Sequence, residues 1–154
     1  RKKRVYQIVC IGDPILREKA VEVKRFNENL HQLLDDMAET LYAADGVGLA
    51  APQIGISKQV VVVDIGDEHG LIELVNPKII ASEGVEEDVE GCLSVPGKSG
   101  IVKRAKKVTV EAQDRNGKSF TIKGEDLLAR AFQHEIDHLR GVLYVDIMEQ
   151  EVEG

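Results

Sequence analysis

The stretch His134-Glu135-Ile136-Asp137-His138 narrows the fold more than any other part of this chain. It lies in a segment, about Glu125 to Leu139, that reads as a helix and ends at Gly141. Leu127, Leu128, Ala131, Phe132, Ile136 and Leu139 are spread around most of that helix. A helix apolar on most sides belongs inside a protein, with other elements packed around it. Two histidines and two acids carried into such a core are costly unless something satisfies them. Residues i and i+4 of a helix lie one turn apart on the same face, so both imidazoles can reach one ion. Glu135, at the side of that face, can touch a water activated by the ion without being a ligand. A metal that lowers a water's pKa and a carboxylate that moves its proton make a hydrolytic pair. The alternative is two surface histidines on a charged helix, and the apolar flanks speak against it.

A catalytic site of this kind needs a third protein ligand and an open position. A downstream histidine would belong six residues after His138, but Tyr144 stands there and no histidine follows. Only a short acidic tail remains, with Glu149, Glu151 and Glu153 as possible carboxylate donors. Upstream, Cys92 in Glu90-Gly91-Cys92-Leu93-Ser94 is the best candidate, on a segment that reads as a turn. Its other reading is a small buried hydrophobe, which is also the expectation for Cys10.

Around this helix the pattern is mixed. A first helix is expected from about Asn27 to Ala44, because Leu30, Leu33, Leu34, Met37 and Leu41 repeat on one face. Asn27 can cap it, and the segment from Asp45 to Gly48 ends it. Asp13-Pro14 reads as a turn. Gln59 to Ile65 is a β-branched run and reads as a buried strand, and Leu71 to Val75 as a second, closed by Asn76-Pro77. Val108, Val110 and Ala112 alternate with polar residues, and Asn116-Gly117 joins them to Ser119–Lys123 as a hairpin. The order predicts an α+β fold: antiparallel β-sheets packed around a central helix that carries the H-E-x-x-H pattern, plus an N-terminal helix.

The 154 residues, without repeat or linker, suit one domain over 1–154. The net charge of −7 argues against a nucleic-acid substrate. The longest strongly apolar run, Val60 to Val63, is far short of the ~20 residues of a membrane helix. Arg1-Lys2-Lys3-Arg4 has no apolar core after it, so no secretory leader is expected and the basic run reads as a solvated end. Two cysteines make no disulfide framework, which points to a reducing compartment.

Three motifs together carry a family resemblance. They are Gly46-Val47-Gly48-Leu49-Ala50-Ala51-Pro52-Gln53, Glu90-Gly91-Cys92-Leu93-Ser94 and Gln133-His134-Glu135-Ile136-Asp137-His138-Leu139. In this order and spacing the chain resembles the peptide deformylases of bacterial or organellar type. The resemblance implies one divalent metal ion held by Cys92, His134 and His138, with Fe²⁺ the physiological ion and Zn²⁺ or Ni²⁺ possible. It implies that Glu135 takes a proton from the attacking water and passes it to the leaving amine. It also implies that the Gln53 amide and the Leu93 backbone N–H steady the charge that builds on the formyl oxygen. Substrates would be N-formylmethionyl nascent chains near the ribosome, in the bacterial cytoplasm or an organelle. Products would be formate and a free N-terminal Met.

Gly46 and Gly48 permit positive φ and close backbone approach, and a peptide could lie along their segment as an added strand. Leu127 and Ala131 share the helix face of His134, and with Val47 they suit an apolar pocket for methionine. Arg130 is expected to skirt its rim. Glu90 is expected to pair with Arg104 and so hold the Cys92 loop. Two departures stand out: Pro96-Gly97-Lys98-Ser99-Gly100 replaces a stretch that holds an arginine in several relatives, and the tail is acidic rather than a basic helix. Two other readings remain: a small H-E-x-x-H metallopeptidase with another third ligand, and a non-catalytic module that binds peptide N-termini.

Overall fold

The computed structural model describes residues 2–153. Arg1 of the basic start and Gly154 lie outside the described residues; Lys2, Lys3 and Arg4 are exposed, as expected. Asp13-Pro14 opens a short 3-10 helix, Pro14–Arg17, in which the Asp13 carboxylate accepts from the Ile15 N–H. Helix α1, Glu28–Ala43, starts on Asn27, whose side chain accepts from the Leu30 N–H at 3.2 Å. Its five predicted core residues are all buried.

Five strands form one antiparallel sheet in the order β1 (Gly48–Ala50), β2 (Val60–Val63), β3 (Ile72–Glu83), β6 (Lys107–Gln113) and β7 (Ser119–Glu125). A second antiparallel sheet holds β4 (Glu86–Cys92), β5 (Val95–Arg104) and β8 (Gln150–Val152). Helix α2 is Leu127–His138, and a single turn, α3, is Tyr144–Ile147. The four valines of β2 explain how the layers stack. Val60 and Val62 face α1 with Leu30, Leu34 and Met37, whereas Val61 and Val63 face α2 with Phe132 and Ile136. The period of two along a strand thus puts one helix on each face of the large sheet. Helix α2 also touches β5, so it lies between the two sheets, as the α+β reading predicts.

Several boundaries differ from expectation. The strand read as Leu71–Val75 continues through Asn76-Pro77 to Glu83. Asn76 has φ 51°, and its amide bonds to both the N–H and the C=O of Val23. The register with β6 shifts between Val75 and Lys78, and a bulge of this kind tolerates a proline. The segment around Cys92 does turn, at Leu93-Ser94, but Glu90 to Cys92 belong to β4, and Cys92 pairs with Val95 across the hairpin. The Pro96–Gly100 stretch is strand rather than loop. Glu125 ends β7 instead of starting α2, and Asp126 precedes the helix at φ 56°. Gly141 ends the helical stretch at φ 78°, where an added Cβ would lie 2.5 Å from the Arg17 carbonyl oxygen.

Candidate metal centre

Helix α2 carries His134 and His138 on one face, with 9% and 1% of their surfaces exposed. Their ring centroids are 5.1 Å apart. Cys92, at the end of β4, brings its Sγ to 3.3 Å from His138 Nε2. One donor atom from each of the three residues lies within 4.8 Å of the others. The tail carboxylates Glu149, Glu151 and Glu153 are exposed and join no such group with these histidines. Cys10, expected to be a buried hydrophobe, is exposed, with its Sγ 3.9 Å from the Ile8 carbonyl oxygen. It lies on the N-terminal segment, which hydrogen-bonds to Gln53 and Ser94 through backbone alone and so leaves side chain 10 outside.

Glu90 organises the back of the site. His134 donates through Nδ1 to Glu90 Oε1 at 2.8 Å. Arg104 grips the same carboxylate with Nε at 2.8 Å and Nη2 at 2.9 Å, and reaches Asp137 with Nη1 at 2.6 Å. The expected Glu90–Arg104 pair is therefore present, and it is buried rather than superficial. Arg130 corrects another expectation. It does not skirt the rim but is 4% exposed, donating to Glu90 Oε2 at 2.6 Å and to the Val102 carbonyl at 2.9 Å. Arg104 and His134 explain the acidity of Glu90: burial pushes its carboxyl up, but their hydrogen bonds and charges outweigh it and bring it to about 2. A carboxylate on the far nitrogen of a ligand histidine fixes its tautomer and ring orientation. The bond from Glu90 to His134 was not anticipated, and nothing in local spacing reports a contact between residues so far apart in the chain.

Glu135 is 4% exposed, and its Oε1 has no hydrogen-bond partner. Burial raises its carboxyl to about 7. Gly48 packs directly on it: an added Cβ would lie 2.6 Å from Glu135 Oε2. Neither Gly46 nor Gly48 has positive φ, so of the two uses expected for these glycines only close approach is realised. Gln53 is held at both ends of its amide. Its Oε1 accepts from the Ala50 N–H at 3.0 Å, and its Nε2 donates to Ser94 Oγ at 3.1 Å and lies 3.6 Å from Cys92 Sγ. Ser94, buried in the second motif, is a contact that the sequence reading missed.

The donor set suits a divalent transition metal. Thiolate and imidazole are the ligands of such ions, and the carboxylate on His134 is the usual outer partner. The unpartnered oxygen of Glu135 adds a polar group with no internal use. A cleft of about 410 Å³ opens on this group, bordered by β1 and β4 and by α2. Val47, Gly48, Leu127 and Ala131 line it as expected, together with Gln53 and Leu93. Val89 also lines it and was missed, because β4 was not recognised as a strand. A larger groove, about 650 Å³, runs along β6 and β7 past Asp67 and His69 and holds none of these residues.

The polypeptide deformylase family model matches residues 5–153. The chain is 60% identical over 142 residues to the peptide deformylase of Carboxydothermus hydrogenoformans, covering 92% of each. It is 59% identical over 147 residues to that of Heliobacterium modesticaldum, covering 96% of each. The crystal structure of a peptide deformylase from Legionella pneumophila superposes with a TM-score of 0.91 at 52% identity, covering 94% of this chain and 86% of that one. The Synechococcus elongatus enzyme in complex with actinonin gives 0.90 at 42% identity, covering 97% and 85%.

Proposed function

The chain belongs to the polypeptide deformylase family, and on that premise we propose that Cys92, His134 and His138 hold its metal ion while Glu135, Gln53 and Leu93 perform the hydrolysis. The protein removes the N-formyl group from the N-terminal methionine of new polypeptides, in a metal-dependent reaction that yields formate and a free N-terminus. The observation that carries the residue assignment is the convergence of three donor atoms within 4.8 Å beside a buried carboxylate with an unpartnered oxygen.

A bound divalent ion supplies Lewis-acid polarisation of the attacking water and of the formyl carbonyl. Glu135 takes the water's proton and returns it to the departing amine nitrogen. A carboxyl that burial raises to about 7 is suited to doing both near neutral pH. As the water oxygen bonds to the formyl carbon, charge builds on the formyl oxygen, and it is withdrawn again as the C–N bond breaks. The Gln53 amide, fixed by Ala50 and Ser94, and the Leu93 N–H donate to it. Glu90 holds His134 in orientation throughout.

The methionine side chain takes the cleft between Val47, Leu127 and Ala131. The peptide backbone lies as an added strand along β1, the free edge of the large sheet, next to Gly48. Main-chain bonds of this kind accept any following sequence. We read Fe²⁺ as the physiological ion, with Zn²⁺ or Ni²⁺ able to replace it, and residues 1–154 as one catalytic domain. We read a protein acting on nascent chains as working near the ribosome, in the bacterial cytoplasm. No helix among the described residues is long and apolar enough to cross a membrane.

The test is formate release from formyl-Met-Ala-Ser by anaerobically prepared protein, beside Cys92→Ala, with metal analysis of both. Release that disappears together with the metal in Cys92→Ala is expected. Metal retained in Cys92→Ala would return the third ligand to another group, and no release from fully metallated protein would overturn the reaction.

A further inference from the structure

Arg130 sits one helical turn before His134, on the same face of α2, and both side chains reach Glu90. Each Glu90 oxygen accepts two N–H groups. Oε1 takes His134 Nδ1 and Arg104 Nη2, while Oε2 takes Arg104 Nε and Arg130 Nη1. Arg130 therefore fills the last acceptor site of the carboxylate that orients His134. It is itself tied down by the carbonyls of Val102 and Glu86, on strands of the second sheet. The same residue borders the cleft beside Leu127 and Ala131, and its Nε is buried without a partner. A buried guanidinium left partly unpaired in the wall of an apolar cleft is costly.

We propose that Arg130 is a positioning residue for the metal centre: it locks the free side of Glu90, and through it the ring of His134, while its stem walls the methionine cleft. Without the guanidinium, Glu90 keeps Arg104 and His134 but loses the second donor on Oε2, so the carboxylate, and with it the ring of His134, is held less tightly. This rests on the reading of His134 as a ligand.

The test uses Arg130→Met, which keeps the stem, and Arg130→Lys, which keeps a cation able to reach Glu90. Both are loaded with Co²⁺ for absorption spectra and challenged with a chelator. Losing one partner of a ligand histidine costs about 10–100-fold in metal affinity; one step further out, Arg130→Met is expected to speed metal loss roughly tenfold and to shift the Co²⁺ bands. KM for formyl-Met-Ala-Ser should stay within about twofold, since the stem remains, while kcat falls. Arg130→Lys should recover most of the metal retention. Parent-like metal loss and bands in Arg130→Met, even with a lowered melting temperature, would leave Arg130 a structural residue and overturn the role. His134→Ala separates the premises. If it loses the metal while Arg130→Met does not, only this inference fails; if it keeps the metal, the ligand set fails and takes this role with it.

Discussion

Gly48→Ala should damage catalysis through Glu135 without touching the metal. The added Cβ would stand 2.6 Å from Glu135 Oε2, 2.8 Å from its Cγ and 2.9 Å from its Cδ, where ordinary contact begins at 3.4 Å. The Glu135 side chain must then retreat by about 0.5–0.8 Å. It has little room to do so, being 4% exposed on a helix packed between two sheets. A misplacement of about 1 Å can cost about 100-fold in rate, so kcat is expected to fall by roughly 10–100-fold. Overpacking of a core typically costs about 1–3 kcal/mol, and each of these lowers the melting temperature of a chain this size by about 2–4 °C. Neither histidine nor Cys92 is among the atoms nearest the new methyl, so metal content should match the parent. The assay is formate release per bound metal ion for Gly48→Ala, Glu135→Ala and the double variant. If the methyl acts only by displacing Glu135, the double variant is no slower than Glu135→Ala alone. A Gly48→Ala protein with kcat within about twofold of the parent, or a double variant slower than Glu135→Ala, would refute the reasoning.

Glu135→Ala is expected to keep its metal and lose about 10²–10⁴ of kcat, the range of a general acid–base group; loss of metal on analysis would instead make Glu135 a ligand. Arg104→Met removes a buried cation that bonds Glu90 twice and Asp137 once, and breaking such a pair costs about 3–5 kcal/mol; a urea-melt difference under about 1 kcal/mol would contradict this. Tyr42 is pushed up to about 12, first by its hydrogen bond to Asp64 and then by burial. Its neutral phenol is thus favoured in the folded state, so its stabilisation is full below pH ~10 and disappears as pH climbs through that raised value. Tyr42→Phe should therefore lose less stability than the parent between pH ~10 and ~12, and equal alkaline slopes in urea melts would rule the linkage out.

The parts of this fold that could be read in the sequence are those whose packing repeats along the chain. Helix α1 shows its buried face in Leu30, Leu33, Leu34, Met37 and Leu41, and its cap in Asn27. The hairpin of β6 and β7 is announced by alternation on either side of Asn116-Gly117. Strands β4 and β8 have no such pattern, and in β5 the buried alternate positions Gly100, Val102 and Arg104 include one apolar side chain. Glu86 to Glu90 contributes one buried residue, and β8 contributes none. Strands β4 and β8 are held by backbone pairing to β5 more than by a buried stripe, and backbone bonds leave no trace in side-chain choice. Overlooking them hid Val89 from the cleft and turned Arg130 outward, because its partners Glu86 and Val102 lie on β4 and β5. Of the candidate site, the residues proposed as ligands and catalytic groups could be picked out because they lie in short motifs. What connects the motifs was not: the bonds from Glu90 to His134 and from Ser94 to Gln53 span distant segments.

The two histidines are oriented by different means, and the distribution of buried polar groups explains why. Among the described residues, eight of the ten buried polar side chains, from Gln53 and Glu90 to His138, gather around this site. Each unsatisfied group among them would cost about 1–3 kcal/mol. Half of them are joined through Glu90, which takes His134 Nδ1 and both arginines. His138 has no counterpart of Glu90, and its Nδ1 is buried without a partner. With 1% of its surface exposed, it is held by packing, with Nε2 turned to Cys92. A ring fixed by contact alone depends on the shape of its surroundings, whereas a ring fixed by a carboxylate depends on one bond. Substitutions that loosen packing around α2 should therefore disturb His138 first, and substitutions in the Glu90 cluster His134 first. Imidazole resonances of the metal-loaded protein would separate the two, and a packing variant that shifted only the His134 ring would reverse the assignment.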